Sequence, residues 1–409
     1  WTWSEGLFSC SELAELADLW ATALRRIAGL STLDKGALLT PSDVPGTGLS
    51  QARIERIEAE HPAIADILPL SPLQKGFLFH ALYDAAAADV YLMQITFTLD
   101  GPLDGARLAR AARALIARHP AQAASFVHEG LDEPVQIIPA EPVLPWREVV
   151  LDGDIDAGLT AIQDQDMAAP LRLDRGPLLR FTLARESATR HHLVLTNHHI
   201  IMDGWSTPLF LRDLMALYEA DGQDDALPHV PPYRAYLDWA HDPARAGGMD
   251  VWREMLAGLD EPTLIAPTAS AHGPIATCSR LLDAELTARL EAQARRLGVT
   301  MNTIVQSAWA LWLAHRTGQS DVVFGTTVSG RPPELPGVER MIGLFINMLP
   351  MRVRMNGAET LAAMAARRDG RPARISIDIM NCGTPVSTAA AAPPATVSGD
   401  QPRDIRRVR

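Results

Sequence analysis

Apolar residues recur along this chain with two spacings, which predict alternating strands and helices. Period-two alternation over residues 91–99 predicts a half-buried strand, and continuous apolar runs at residues 192–196 and 321–325 predict buried strands. Helical spacing predicts further elements, at residues 13–27, 108–116, 286–297 and 304–312 and after Ser71. The pattern therefore indicates an α/β fold class.

Composition shifts divide the chain into four segments. Residues 1–57 hold a helix with a Ser9–Glu12 capping box and a turn-rich connector. Residues 58–256 and 257–368 each mix strands and helices, so two lobes are expected, with ligands favouring the seam between them. Residues 369–409 are rich in Pro, Ala, Thr and Ser and close on arginines, a composition that predicts a disordered or aberrant tail.

Bulk properties narrow the function classes. The 409 residues are 47% hydrophobic, enough to bury more than one core. A net charge of −12 argues against a nucleic-acid or anionic-membrane surface. Three cysteines are too few for a disulfide framework, and the sequence shows neither an apolar run of transmembrane length nor a signal peptide. We therefore expect a cytoplasmic location, with no nucleic-acid or membrane partner.

The densest chemistry lies in residues 197–206, where a buried strand runs into a loop. Adjacent strand side chains point to opposite faces, so His198 and His199 should differ in role: one holds the loop and the other faces a cavity. Gly204 is expected to let the chain reverse tightly after Asp203. Two purely structural histidines remain the alternative interpretation.

A metal site is a weaker interpretation of the same region. His191 and His192 lie close in sequence to the two loop histidines. No Cys or Glu stands at ligand spacing, and HExxH is absent. We therefore expect no metal.

The HHxxxDG pattern at residues 198–204 resembles the signature of the acyltransferase superfamily that includes chloramphenicol acetyltransferase and the condensation domains of nonribosomal peptide synthetases. Other segments resemble further condensation-domain motifs in order, at residues 70–80, 118–126, 233–239 and 342–350. The resemblance spans about residues 60–365. It implies two chloramphenicol acetyltransferase-like lobes that form a V, with the active site at the seam.

The resemblance also implies a reaction, peptide-bond formation between a donor thioester and an acceptor amine. His199 would position or deprotonate the amine, His198 and Asp203 would shape the loop, and Gly204 would permit close approach. No covalent nucleophile is needed, and neither GxSxG nor a cysteine beside the histidines is present. The residues expected to line the substrate channel are Trp205, Ser206 and Asn347.

The partners that this resemblance implies are upstream and downstream peptidyl carrier domains and an adjacent adenylation domain. The carriers would supply 4'-phosphopantetheine arms, so the chain itself needs no cofactor. Residues 77–80 and 204–206 resemble the subtype that accepts a D-configured donor, and residues 1–57 resemble the tail of an epimerization domain. Alternatives left open are a docking scaffold without chemistry, a stand-alone acyl-CoA-dependent acyltransferase and, for residues 1–57, a plain surface helix with its linker.

The second motif departs from the family pattern RHPxLRxxF. Arg118 is present and expected to be structural near the site, but Gln122 and Ala123 replace the leucine and the second arginine. In the family that arginine pairs with the motif aspartate, here Asp203. A buried carboxylate without a cation has a raised pKa or recruits a substitute. Either another arginine compensates or the loop is loosened. Arg331 is one candidate, although its place in the sequence assigns it to the second lobe. The missing arginine together with an apparently truncated C-terminus is expected to impair activity.

Overall fold

The computed structural model describes residues 2–3, 6–30, 39–61, 63–83, 90–242, 249–266, 278–360 and 362–365. Its α-helices are α1 Cys10–Leu30, α2 Gln51–Glu60, α3 Pro72–Tyr83, α4 Gly105–Arg118, α5 Ile155–Ala168, α6 Ser206–Glu219, α7 Tyr233–Ala240, α8 Met249–Leu256, α9 Ala284–Leu297 and α10 Met301–Thr317. Its strands are β1 Ile64–Pro69, β2 Leu92–Asp100, β3 Ser125–Val127, β4 Val135–Pro139, β5 Trp146–Val150, β6 Leu179–Arg185, β7 Arg190–His198, β8 Asp321–Val328 and β9 Asn347–Arg354.

The strands form three sheets within this part of the chain. The largest has the order β2-β7-β6-β5, with β5 and β6 parallel and the other pairs antiparallel. A second sheet has the order β1-β4-β3, and β8 pairs with β9 in a third. The mixture of helices and sheets confirms the predicted α/β class.

Several predicted elements are confirmed, because their signals are local. The alternation at residues 91–99 corresponds to β2, and α4 ends at Arg118, before Pro120. At the start of α3, the Ser71 N–H donates to Gln74 Oε1 at 2.9 Å, and the Gln74 N–H donates to Ser71 Oγ at 3.3 Å. This reciprocal pair is the capping box that starts the predicted helix. One boundary differs from the local sequence pattern: Thr207 and Pro208 are typical of a helix cap and first turn, but α6 begins at Ser206.

Strand β7 lies inside the largest sheet, and its residues are buried from His191 to His198. Helices α4 and α6 contact each other, and their apolar side chains join those of β6 and β7 in the main core. Residues 338–346, which precede β9, add Leu344 and Phe345 to the same core. A segment from the second half of the chain is therefore anchored in the first.

The β8–β9 sheet has its own apolar cluster with α10, including Leu313, Val322 and Val353. Helix α8 packs against this sheet through Trp252, which contacts Leu349 in a separate small cluster. Thus α8 accompanies the second sheet, although it precedes the predicted boundary at residue 257. The positions of the domain boundaries and the V arrangement of the lobes stay predictions.

The N-terminal segment behaves in two ways. Helix α1 has the predicted capping box, in which the Ser9 N–H donates to Glu12 Oε2 at 2.8 Å, but its apolar side chains are exposed. Residues 39–60, in contrast, bury Leu39, Val44 and Ile54 against β1 and β4. The predicted connector therefore contributes to the core beneath the β1-β4-β3 sheet.

One predicted segment lies outside the residues that the structure describes. The tail predicted at residues 369–409, with Cys382, lies outside the described residues. Cys10 and Cys278 are exposed free thiols. Within the described ranges, no helix combines the length and apolarity that crossing a membrane requires.

Candidate active site

The two motif histidines lie at the end of β7, beside the start of β2. His198 pairs with Leu92, and the His199 N–H donates to the Tyr91 carbonyl at 2.8 Å. The chain then leaves the sheet as the motif loop, residues 199–205, and enters α6. The loop is therefore fixed at its start by the sheet ladder.

His198 points into the protein and is fully buried. Its Nδ1 accepts a hydrogen bond from the Ile200 N–H at 3.0 Å, which folds the loop back over the ring. Its ring also lies 6.2 Å, centroid to centroid, from the Tyr91 ring. The hydrogen bond to Ile200 holds the backbone of the motif loop. This position agrees with the strand alternation, which predicts that one of the two histidines points inward and holds the loop.

His199 is only partly buried, and its environment is aromatic. The Phe77 ring meets the imidazole edge-on, with 5.6 Å between centroids, and also stacks on Tyr91 at 4.2 Å. Among the described residues, no group forms a hydrogen bond with His199 Nδ1. The structure thus separates the two histidines by environment; the roles assigned to them stay predictions.

Asp203 is completely buried, and both of its carboxylate oxygens accept hydrogen bonds. Oδ1 accepts from the Ser206 N–H at 2.8 Å, and Oδ2 accepts from the Phe345 and Ile346 N–H groups at 3.0 and 3.3 Å. These bonds tie the motif loop to residues 341–346, which we call the 341–346 segment. The carboxylate is a structural link between two distant parts of the chain.

Arg331 supplies the cation that the second motif lacks. One of its terminal nitrogens lies 3.6 Å from Asp203 Oδ1, and both side chains are almost fully buried, at 6% and 0% exposure. The same guanidinium donates to Ser206 Oγ and to the Met341 carbonyl, each at 2.9 Å, and lies 3.9 Å above the Phe345 ring. Burial lowers the pKa of Arg331, and the charge of Asp203 opposes that shift. Of the two outcomes expected from the missing arginine, the structure shows compensation rather than a loosened loop, and the assignment of Arg331 to the second lobe is wrong because its guanidinium lies beside Asp203 and Ser206.

Two expectations about the loop need correction. Ser206 was expected to line the channel, but it is fully buried: its hydroxyl donates to the Gly343 carbonyl at 2.9 Å and accepts from the Gly343 N–H at 3.1 Å. Gly204 was expected to let the chain reverse tightly after Asp203 through the conformational freedom of glycine, but its backbone is not in the left-handed region that favours glycine. No atom lies within 4 Å of the position that a Cβ on Gly204 would occupy, so the space beside it is open. Trp205, beside it, is 60% exposed, as a residue that faces substrate or solvent would be.

The 341–346 segment is held by a close fit as well as by Asp203. A Cβ on Gly343 would lie 2.5 Å from the Tyr233 ring, so this position requires glycine. The Tyr233 hydroxyl donates to the Leu344 carbonyl at 2.6 Å, and burial raises the pKa of that phenol. Asn347 follows at the start of β9, partly buried, and its Oδ1 accepts from the Met348 N–H at 2.9 Å.

Arg118 lies in a different cluster, beside α6 rather than at the motif loop. It is ion-paired with Asp224 and, at 3.6 Å, with the buried Asp213. His119 Nε2 lies 3.0 Å from the same Asp213 carboxylate. Burial alone would raise the pKa of Asp213, but hydrogen bonds from His119 and Arg212 outweigh it and lower that pKa. The cluster borders an open cavity of about 600 Å³, and none of its contacts involves the motif histidines.

Sequence reasoning did not find the glutamines that hold the motif loop. Gln74 Nε2 donates to the Ile200 carbonyl at 3.1 Å, and Gln122 Nε2 donates to the Ile201 carbonyl at 3.0 Å. Both are buried, with 1% and 0% exposure. In the sequence, Gln122 stands out only because it replaces the leucine of the family pattern, and Gln74 only because it stands three residues after Ser71 at the start of a helix. Within the described ranges, no group of three or more His, Cys, Asp or Glu side chains could hold a metal ion.

Comparisons of this chain with known proteins all point to one family. A family model described as the condensation domain matches residues 64–371. One of the linear gramicidin synthase proteins of Brevibacillus parabrevis is 36% identical over 365 residues, which cover 86% of this chain and 7% of that protein. A chondramide synthase of Chondromyces crocatus is 33% identical over 414 residues, covering 89% and 10% of the two chains. The chain therefore spans about a tenth or less of the length of these curated relatives.

Solved structures share the fold. The condensation domain of the monacolin K polyketide synthase has a TM-score of 0.64 at 19% identity, over 79% of this chain and 75% of that one. The X-domain in a complex from teicoplanin biosynthesis has a TM-score of 0.63 at 26% identity, over 78% and 71%. From the matched motif loop, the relatives and the shared fold, the chain belongs to the condensation-domain family of nonribosomal peptide synthetases.

Proposed function

We propose that this chain forms a peptide bond between a donor aminoacyl or peptidyl thioester and the α-amine of an acceptor aminoacyl thioester. The observation that supports it most is the contrast within the motif loop. Asp203 and His198 are bonded into the protein, while His199 is only partly buried and the space around Gly204 is open. His199 is the imidazole placed to meet an incoming amine.

The residues suit a reaction without a covalent intermediate. The amine nitrogen attacks the thioester carbonyl carbon, a proton leaves the amine, and the thiol departs. His199 would orient the amine or take its proton, a role typically worth about a hundredfold to ten-thousandfold in rate. Gly204 would allow the substrate to pass close to the backbone, and Trp205 would border the path. Asn347 stands beyond the 341–346 segment and would face the same channel.

The partners in this proposal are two carrier domains. Each would present its substrate on a 4'-phosphopantetheine arm, and the chain would hold no cofactor of its own. The much greater length of the relatives supports a multidomain setting with an adenylation domain nearby. We further propose a D-configured donor, on the resemblance of residues 77–80 and 204–206 to that subtype.

The test is a condensation assay with the full chain, a donor-loaded carrier and an acceptor-loaded carrier. Mass spectrometry of the acceptor carrier should show the dipeptidyl product, formed faster from the D-configured than from the L-configured donor. Product with an L preference would refute the subtype but not the reaction. If no product forms while both carriers still bind, the chain is a docking scaffold. Product from a soluble acyl-CoA donor alone would instead support the stand-alone acyltransferase.

A further inference from the structure

Gln122 is a polar side chain in a fully buried place. It lies in a short 3-10 helix, Pro120–Ala123, directly after α4, and its exposure is 0%. A buried carboxamide is tolerated where it forms hydrogen bonds. Its Nε2 donates to two backbone carbonyls, that of Ile201 at 3.0 Å and that of Ile342 at 3.4 Å.

The surroundings fix the orientation of this amide. Both neighbours are carbonyl oxygens, which only accept, so the NH₂ group must face them. Gln122 Oε1 then points away and has no partner among the residues that the structure describes. Within the same described ranges, no other donor reaches either carbonyl. A leucine here, the residue that the family pattern has, would leave both carbonyls without a partner.

The two carbonyls belong to the two segments that Asp203 joins. Ile201 lies in the motif loop, between His199 and Asp203, and Ile342 lies in the 341–346 segment. The Phe345 N–H of that segment donates to Asp203 at 3.0 Å. Gln122 therefore adds a further link across the same junction, on the side of the loop that is nearer in sequence to His199.

We propose that Gln122 is a positioning residue for His199: its amide clamps the motif loop to the 341–346 segment, a task that Ala123 cannot share. Arg331 replaces the charge of the missing arginine, and Gln122 adds a hold on the loop backbone. The catalytic meaning of the clamp rests on the proposed function, but the clamp itself does not. A shift of the loop by a fraction of an ångström would misplace the imidazole and reduce turnover more than binding.

The test is Gln122→Met, which keeps side-chain length and removes both donors. The matched control is Gln136→Met. Gln136 is equally buried, also has a partnerless Oε1, and donates to the Pro69 carbonyl at 2.8 Å and to Gln74 Oε1 at 3.3 Å. It reaches the motif loop only indirectly, and in its variant Gln74 Oε1 still accepts from the Ser71 N–H at 2.9 Å, so the bond from Gln74 Nε2 to the Ile200 carbonyl should be kept. Both variants should lose similar thermal stability, because each loses one buried amide.

Two readouts separate positioning from general destabilisation. Hydrogen–deuterium exchange of the full chain should become about tenfold faster in peptides covering 199–206 and 341–347 for Gln122→Met, and stay unchanged there for Gln136→Met. With aminoacyl N-acetylcysteamine thioesters as substrates, kcat should fall about tenfold to a hundredfold for Gln122→Met with KM unchanged. Gln122→Leu, the residue of the family pattern, also removes both donors without adding a charge, and it serves if Gln122→Met does not fold.

Equal exchange and equal kcat in the Gln122 and Gln136 variants would overturn the clamp. A wild type that forms no product would refute the proposed function, while the exchange measurement would still decide whether Gln122 holds the loop.

Discussion

The two ends of the motif loop are built differently. At the Asp203 end, the carboxylate accepts three backbone hydrogen bonds, lies beside Arg331 and is fully buried. At the His199 end, the imidazole is partly exposed, contacts Phe77 edge-on, and has an Nδ1 without a hydrogen-bond partner among the described residues. The residue that holds the loop in place and the residue proposed to meet the substrate are therefore divided between two positions, four residues apart in the sequence.

This division gives opposite expectations for substitutions at the two ends. Changes at the Asp203 end should lower the free energy of unfolding. Changes at the His199 end should lower the rate and leave the fold intact. The free energy of unfolding and the condensation rate should therefore both be measured for each variant.

The largest loss of stability is expected from Arg331→Met. The substitution leaves Asp203 as a buried charge without its cation, which typically costs about 3–5 kcal/mol. Urea unfolding measures the loss. The control is Arg340→Met, because Arg340 is 42% exposed and its pair with Glu339 is worth about 1 kcal/mol or less. A loss as small as that of the control would show that the backbone donors alone satisfy Asp203.

His198→Ala should come next, with a loss of about 2–3 kcal/mol. The substitution opens a cavity and leaves the Ile200 N–H without its acceptor. After correction for the folded fraction, the remaining activity should stay close to that of wild type. A folded His198→Ala variant without activity would mean that the inward histidine also takes part in the reaction.

Asp213→Asn should lower the free energy of unfolding by about 2 kcal/mol at neutral pH, because Asp213 bonds with His119 and Arg118 and so holds α4 against α6. The condensation rate should not change, because this cluster lies away from the motif loop. The pKa of Asp213 is lowered in the folded state. Its stabilising contribution is therefore complete above the ordinary aspartate pKa and disappears as pH falls through the folded value. Urea unfolding from neutral to acid pH should show the difference between variant and wild type shrinking as pH falls. A difference that is constant with pH would refute the ionic origin.

The smallest change in stability is expected from Gly204→Ala, within about 0.5 kcal/mol, because neither backbone conformation nor neighbours oppose a Cβ there. The condensation rate should nevertheless fall, since the methyl group would enter the space proposed for the substrate. An unchanged rate would place the substrate path elsewhere.

The sequence predicted the parts of the site that local patterns determine. Strand β7, the helix that begins after Ser71 and the different environments of His198 and His199 all follow from periodicity or from spacing of a few residues. The resemblance to condensation domains added the expected roles. Helix α6 begins at Ser206 rather than after a Thr207 cap, because Asp203, not Thr207, accepts from its first N–H.

The links that hold the site could not be predicted in this way. Asp203 and Phe345 are 142 residues apart, and Gln122 and Ile342 are 220 apart. Which partners fill such gaps depends on how the two halves of the chain pack, and single-sequence periodicity contains no information on that. Ser206 was placed in the channel for the same reason, since its bonds to Gly343 span 137 residues. Arg331 could be named only as a candidate for the missing cation.

The most direct test of the proposed division is the single-turnover condensation rate of His199→Ala, measured beside its urea unfolding curve. The proposed division predicts an unfolding free energy within about 0.5 kcal/mol of wild type, because the ring is partly exposed and holds no described side-chain hydrogen bond. It also predicts a rate lower by about a hundredfold to ten-thousandfold. A folded His199→Ala variant that condenses its substrates as fast as wild type would contradict it.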